Sequence, residues 1–247
     1  MHKLASLLTT LGFAVAIGCA VTGIAAGLGY RFGLWHFRTG IATLGYVFWV
    51  AAATAGVTLL ALVFAVARRA PNRAIVLGFL GVLIAGITAY IPYHLRQTAN
   101  SVPAIHDITT DLANPPVFGR AATNRKTDDN PVAYDGAKVG ELQKGAYPDI
   151  ASIVTPAPVD KAFDAAKAAL SDMGLEIMEA DPAQGRVEAV ATSLLFGFKD
   201  DVVVRVAAAS DGTHVDMRSK SRVGRNDFGM NAKRIRAFTS KMGARLG

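Results

Sequence analysis

The first 95 residues contain no aspartate or glutamate, although the chain of 247 residues has 19 acidic residues. Three stretches of this half lack charged side chains altogether, residues 4–28, 41–67 and 74–95. A helix needs about 20 apolar residues to cross a bilayer. Helices buried in soluble domains rarely stay uncharged for so long, so the sequence predicts three transmembrane helices within residues 1–95. The lack of charge inside these spans also disfavours an ion or proton path.

Cysteine is almost absent, because Cys19 is the only one in the chain. The part after the apolar half can therefore form no internal disulfide, which is compatible with any compartment. Spacings typical of zinc sites, such as HExxH, and serine nucleophile motifs, such as GxSxG, are also missing. We expect no metal and no cofactor, and the sequence names no reaction.

The basic character of the chain is uneven. The apolar half holds six of the 26 lysines and arginines, and the remainder sets 20 bases against 19 acids. Because a soluble nucleic-acid-binding domain would carry the excess itself, we expect no nucleic-acid partner. Residues 97–217 hold ten bases and 18 acids, whereas residues 218–247 hold nine bases and one acid. This tail either neutralises its own domain or faces anionic lipid.

Lysines and arginines of the short loops predict the orientation in the membrane. Four of them fall on the side of the N-terminus and three on the other side: Lys3, Arg68, Arg69 and Arg73 against Arg31, Arg38 and Arg96. Since the richer side faces the cytoplasm, the C-terminal domain is predicted to lie outside it. The expected location is the bacterial inner (plasma) membrane, with a periplasmic domain where the cell has an outer membrane.

Small residues recur at four-residue spacing in the spans, as Gly12 with Ala16, Gly23 with Gly27, and Gly81 with Ala85. Such faces let helix backbones approach closely. They predict either packing of the three helices within one chain or a homo-oligomer.

The remainder divides into an irregular linker, residues 96–146, and a compact domain, residues 147–247. Regular structure in the linker is interrupted at Pro103, Pro115, Pro116, Gly119 and Pro131. The domain reads as a strand, an amphipathic helix, four alternating strands with short turns, and a final helix. This order predicts an α+β fold in which a small antiparallel sheet packs on two helices, resembling a helix grip.

The stretch RSKSRVGRNDFGMNAKRIRAF, residues 218–238, predicts a strand, a turn and a helix. Its polar side chains could bind an anion such as a phosphate or a carboxylate near the helix N-terminus. The candidate set is Arg205, Arg218, Ser219, Ser221, Arg222, Asp227, Asn231 and Arg234. The alternative is a structural network, in which Asp227 caps the helix and pairs with Arg222 or Arg225. Phe228, Ile235 and Phe238 would hold the helix to the sheet.

One histidine and four aspartates are secondary candidates for acid–base or metal chemistry. They are His106, Asp107, Asp111, Asp200 and Asp201. Neighbouring strand residues point to opposite faces, so Asp200 and Asp201 would not form a pair. An envelope hydrolase or transferase using Asp200, Asp201, Asp227 and nearby arginines is the alternative function.

The strings IHDITTD, residues 105–111, and RSKSRVGRNDFGMN, residues 218–231, carry a family resemblance. Together they resemble the family catalogued as domain of unknown function 1499, over roughly residues 100–245. The resemblance implies an architecture, often membrane-anchored, but no catalytic role. We therefore expect a membrane-anchored, extracytoplasmic binding or accessory protein of the bacterial cell envelope, from a family without an assigned activity. Its partners would be the lipid bilayer and an anionic or lipidic envelope component or an envelope protein.

Overall fold

A computed structural model describes residues 2–246, and these fall into two compact units. The membrane unit comprises the chain up to Thr98 together with Leu194–Gly197. The sheet unit comprises Ala99–Ser193 and the chain from Phe198 onward.

The membrane unit is built from three long helices, α1 (His2–Arg31), α2 (Phe37–Ala67) and α3 (Asn72–Ser101). Each has 30 or 31 residues. At 1.5 Å per residue, each is about 45 Å long and exceeds a hydrocarbon core of about 30 Å. All three are long and apolar enough to cross a membrane. The prediction of a membrane protein with three such helices is confirmed.

Small residues of the predicted faces lie against neighbouring helices of the same chain. Ala16 and Ala85 are fully buried. A Cβ on Gly12 would lie 2.1 Å from the Oγ1 of Thr58, so only glycine lets α1 and α2 approach here. A Cβ on Gly81 would lie 3.1 Å from the backbone of Phe13. These small residues therefore serve helix packing within one chain, and the homo-oligomer stays a prediction.

The sheet unit contains six antiparallel strands: β1 (Asp107–Thr109), β2 (Ile153–Thr155), β3 (Glu176–Asp181), β4 (Arg186–Thr192), β5 (Lys199–Ala209) and β6 (Gly212–Ser221). The main order is β1-β6-β5-β4-β3, and β2 also pairs with β6. Strands β1 and β2 share one edge of β6, with β1 opposite residues 218–220 and β2 opposite residues 213–215. Short turns join β3 to β6 in succession, which explains the antiparallel pairing.

Four helices accompany the sheet: α4 (Arg120–Thr123), α5 (Ala137–Ala146), α6 (Val159–Asp172) and α7 (Met230–Leu246). Helices α6 and α7 bury their apolar sides against one face of the sheet. The core there is formed by valines of β5 and residues of β6, α6 and α7, including Val202, Val204, Met217, Leu170, Ile235 and Phe238. The predicted α+β arrangement, an antiparallel sheet packed on helices, is confirmed.

The opposite face of the sheet is covered by chain that the sequence predicts to be an irregular linker. Residues 96–146 contribute β1, α4 and α5 and belong mostly to the sheet unit. Phe118 and Ala121 are buried there against Val203, with Val132 beside them. A three-residue strand and a four-residue helix are too short to show a strand or helix period in the sequence. The prolines and glycines around them therefore predict an irregular segment. We call residues 110–136 the covering segment.

Candidate functional site

The eight predicted ligand-binding residues lie on two opposite faces of the sheet, and the structure does not bring them together. Side chains alternate along β6. Arg218 and Arg222 point to the covering segment, whereas Ser219 and Ser221 point to α7. The predicted single cluster is therefore two clusters. The α7 side holds Ser219, Ser221, Asp227, Asn231 and Arg234, and the covered side holds Arg205, Arg218 and Arg222.

The cluster on the α7 side is a closed hydrogen-bond network. Arg234 donates to the Oγ of Ser219 at 2.8 Å and to the Oδ1 of Asn231 at 2.5 Å. Its other terminal nitrogen donates to Asp200 at 2.7 Å. Asn231 is fully buried and donates to the Oγ of Ser221 at 3.0 Å. These contacts tie α7 to the sheet and satisfy the polar groups within the protein.

Asp227 caps α7. Its carboxylate accepts hydrogen bonds from the backbone N–H groups of Gly229 and Asn231, each at 2.8 Å. Burial raises the pKa of this carboxyl, against the lowering effect of those hydrogen bonds. The helix begins at Met230, after Phe228 in a left-handed conformation with φ of 57°. Phe228 is consequently 39% exposed, so its predicted role in holding the helix to the sheet is not observed.

Arg205 joins two acids on the covered face. Its Nη2 lies 2.8 Å from both Asp111 and Asp216. Burial alone would raise the pKa of Asp111, but hydrogen bonds from Asn114, Arg205 and Ala113 hold it below the ordinary value. Asp111, a secondary candidate, thus forms an ion pair with Arg205, one of the predicted ligand-binding residues.

Asp201 is completely buried on the covered face and lies between two arginines. Arg222 donates to it through Nε and Nη2, at 3.0 and 2.7 Å. Arg125 of the covering segment donates through Nε at 2.9 Å. Asp200 instead bonds Arg234 on the α7 side. The two carboxylates therefore lie on opposite faces, as strand alternation predicts.

A buried ionic cluster surrounds Asp107 of β1. Arg218 holds this carboxylate with two hydrogen bonds of 2.8 Å. The Nζ of Lys220 lies 3.1 Å from Asp107, 2.6 Å from Asp135 and 2.7 Å from the carbonyl oxygen of Ala133. Asp107 and Lys220 are fully buried. Two hydrogen bonds and an ion pair thus compensate the ammonium of Lys220, as a buried charge requires.

His106 lies at the edge of this cluster, with its Nε2 3.4 Å from Asp135. Burial lowers the pKa of its imidazole, and the nearby Lys220 adds to this. The carboxylates of Asp135 and Asp107 act in the opposite direction without reversing the shift. The imidazole is therefore neutral at neutral pH.

Acid destabilises the sheet unit through His106. An unfolded histidine has a pKa of about 6.5, so below that pH the unfolded chain binds the proton more readily than the folded one. The stabilisation is complete above about pH 6.5 and is lost as the pH falls toward the lower folded pKa. Pulse proteolysis in urea at about pH 7.5 and about pH 5.5 should show a smaller loss of stability for His106→Gln than for wild type. His214→Gln is the matched change at a half-buried histidine of β6 outside the ionic cluster. Equal losses in wild type and His106→Gln would contradict the prediction.

Sequence reasoning missed three anchors of the covered face. Strand alternation in RSKSR predicts Lys220 on the same sheet face as Arg218 and Arg222, which was the available signal for it, although it is absent from the candidate set. Asp135 lies in the predicted linker, and no pattern in the sequence around it indicates an ion pair with Lys220. Glu188, fully buried in β4, accepts hydrogen bonds from the backbone N–H groups of Gly119 and Ala121 at 2.7 and 2.8 Å. An acid inside the apolar string VEAV was the available signal for Glu188.

An open cleft of about 430 Å³ lies between α5 and the start of the covering segment. Its lining is mostly apolar side chains and glycines, with three larger polar side chains: Leu112, Ala113, Pro115, Tyr134, Gly136, Ala137, Gly140, Glu141 and Lys144. Tyr134 connects this cleft to the buried ionic cluster, because the Arg218 guanidinium lies 5.4 Å from its ring centroid.

The hydroxyl of Tyr134 is the unusual group of this cleft. It is buried, and no group within residues 2–246 hydrogen-bonds to it. Burial, reinforced by Asp107, raises its pKa to about 12. The phenol therefore stays protonated and can donate a hydrogen bond. A Cβ on Gly140 would lie 3.3 Å from this oxygen, so glycine leaves room beside it.

Within the part of the chain that the structure describes, no group of three or more His, Cys, Asp or Glu side chains could hold a metal ion. A search of curated proteins finds no match. A family model described as "Protein of unknown function (DUF1499)" matches residues 107–242, more than half of the chain. The match starts at the first residue of β1 and includes the covering segment. The chain therefore belongs to the DUF1499 family.

Proposed function

We propose that this protein is a membrane-anchored binding or accessory protein of the bacterial cell envelope. Its sheet unit lies outside the cytoplasm and binds an anionic or lipidic envelope component in the cleft beside α5. The three membrane-crossing helices support the anchor, and the loop arginines and lysines support the orientation.

The cleft carries this proposal, because it offers both surfaces that a lipid-like molecule needs. Leu112, Ala113 and Pro115 supply an apolar wall. The ring of Tyr134 extends this wall. Lys144 supplies a cation at the exposed rim. An acyl chain would lie on the wall, and its anionic head would take the ammonium of Lys144.

The predicted arginines do not favour a separate anion site. Arg205, Arg218, Arg222 and Arg234 each donate to an aspartate of the same chain. An added anion would have to compete with carboxylates that are already in place. This is why we place the ligand in the cleft and not among these side chains.

A binding role fits the carboxylates better than the hydrolase or transferase alternative does. That alternative needs acidic side chains converging on one pocket. Asp200 bonds Arg234 on the α7 side, Asp201 is enclosed by two arginines on the covered side, and Asp227 caps α7. Each carboxylate is engaged in a different place.

The cleft is tested by filling it. Ala137→Trp places an indole at an exposed lining position, whereas Ala146→Trp makes the same change at the other end of α5, outside the lining. The full chain in detergent is titrated with lysophosphatidylglycerol, a single-chain anionic lipid, and adducts are counted by native mass spectrometry. We expect adducts on wild type and Ala146→Trp and a clear loss on Ala137→Trp.

Two results would refute the cleft: no adduct on wild type, or equal adducts on both tryptophan variants. Lysophosphatidylcholine, which has the same chain but no net charge, separates the contributions of chain and head. Equal binding of the two lipids would show that the negative charge of the ligand does not contribute to binding in the cleft. The orientation is tested separately by a reporter enzyme fused after Leu95 that is active only outside the cytoplasm. A fusion protein that is expressed but enzymatically inactive would mean that the chain after Leu95 lies in the cytoplasm, and would contradict the proposed orientation.

A further inference from the structure

The turn between β4 and β5 is unusually apolar for a surface turn. Its sequence from residue 193 to 198, SLLFGF, contains no charge and only one polar side chain. Leu194 is 92% exposed and Leu195 is 37% exposed. Turns are normally rich in polar residues and glycine, so this composition needs a reason beyond chain reversal.

The same turn belongs to the membrane unit, in which Leu194–Gly197 lies with α1 and α2. A Cβ on Gly27 would lie 2.5 Å from Leu195, and a Cβ on Gly40 would lie 3.0 Å from the ring of Phe196. Arg31, the last residue of α1, donates a hydrogen bond to the carbonyl oxygen of Leu194. Two glycines therefore make room for the turn where α1 ends and α2 begins.

This part of the membrane unit is where the spans leave the hydrocarbon. Helices of about 45 Å extend past a core of about 30 Å, so the end of α1 lies in the headgroup region. The loop joining α1 to α2 exposes Phe32, Leu34 and Trp35, with exposed fractions of 71%, 73% and 37%. Aromatic side chains favour this zone of the bilayer. The turn thus continues an apolar rim at the membrane boundary.

We propose that the β4–β5 turn is a second membrane attachment, in which Leu194 inserts into the lipid at the boundary between headgroups and acyl chains. The occupant of this apolar surface is the bilayer, because the turn packs beside helices that already cross it. Insertion removes the Leu194 side chain from water. The attachment is separate from the cleft, so it stands whether or not the cleft binds lipid.

The test places a polarity-sensitive probe on the turn. In a Cys19→Ala background, Leu194→Cys is labelled with the fluorophore NBD, and the full chain is reconstituted in phosphatidylcholine vesicles. Ser210→Cys is the matched control, because it is exposed in the turn at the other end of β5. We expect blue-shifted emission at position 194 and loss of intensity when the vesicles contain lipid spin-labelled near the headgroup. The probe at 210 should show neither effect.

Two outcomes overturn the proposal. Emission and quenching at 194 that equal those at 210 would place the turn in water. A blue shift at 194 without quenching by the spin-labelled lipid would mean that protein covers the turn. Resistance of both labelled variants to protease, compared with the unlabelled chain, confirms that each is folded before these readings are compared.

Discussion

Replacing Asp201 by asparagine lowers the free energy of unfolding of the sheet unit by about 3–5 kcal/mol, the cost of breaking a buried ion pair. The change leaves the guanidinium groups of Arg125 and Arg222 without their carboxylate, and the Arg125 side chain is only 4% exposed. Burial already lowers the pKa of Arg125, while Asp201 opposes that effect. Pulse proteolysis in urea measures the loss, since the protease cleaves the unfolded fraction. Tryptophan fluorescence would not follow it, because Trp35 and Trp49 both lie in the membrane unit.

Two further variants give this prediction its control. Asp128→Asn changes an exposed aspartate of the covering segment in the same way and should stay within about 0.5 kcal/mol of wild type. Adding Arg125→Met to Asp201→Asn should recover part of the loss, because one of the two unpaired charges is removed. A double variant no more stable than Asp201→Asn would show that uncompensated charge is not the cause.

Replacing Lys220 by methionine costs about 3 kcal/mol, toward the lower end for a buried ion pair. The ammonium is fully buried and faces both Asp107 and Asp135. Removing it leaves one negative charge in excess, although Arg218 still neutralises Asp107. The same proteolysis in urea measures the difference.

Lys199→Met provides the matched comparison, because Lys199 is exposed at the start of β5. We expect it to be near neutral, within about 0.5 kcal/mol. Combining Lys220→Met with Asp135→Asn should restore part of the stability by removing the excess carboxylate. Equal stabilities of Lys220→Met and Lys199→Met would argue against the buried cluster.

Much of the architecture could be predicted from composition and periodicity. The charge-free runs located the three long helices, and alternating valines located β5. The order of strands and turns gave the antiparallel sheet, and the apolar stripe of α7 placed Ile235 and Phe238 in the core. These signals are local, so a single sequence displays them.

The covering segment could not be predicted, because what orders it is distant in sequence. Asp107 and Arg218 are 111 residues apart, and Arg125 and Asp201 are 76 residues apart. The residues around one partner of such a pair contain no pattern from which the other partner can be predicted. Strand alternation predicts that Arg218 and Arg222 face away from Ser219 and Ser221, but the partners that each of these side chains contacts followed only from the structure.

Charge distribution did give a long-range hint. Six of the nine bases in residues 218–247 pair with acids nearer the N-terminus: Arg218, Lys220, Arg222, Arg234, Arg236 and Arg245. The basic tail therefore neutralises its own domain, which is one of the two interpretations that its composition allowed. The composition shows that the basic tail balances the acidic residues before it. Which base pairs with which acid could be seen only in the structure.

The central position of β6 has a consequence for how this protein is made. Residues 107–109 leave the ribosome soon after α3, yet their strand partner, residues 218–220, is synthesised more than a hundred residues later. Until then the acids at 107 and 135 lack Arg218 and Lys220, and the covering segment lacks strand β6 beneath it. The sheet therefore cannot close until nearly the whole chain has been synthesised, so the three long helices are complete well before the sheet unit can fold.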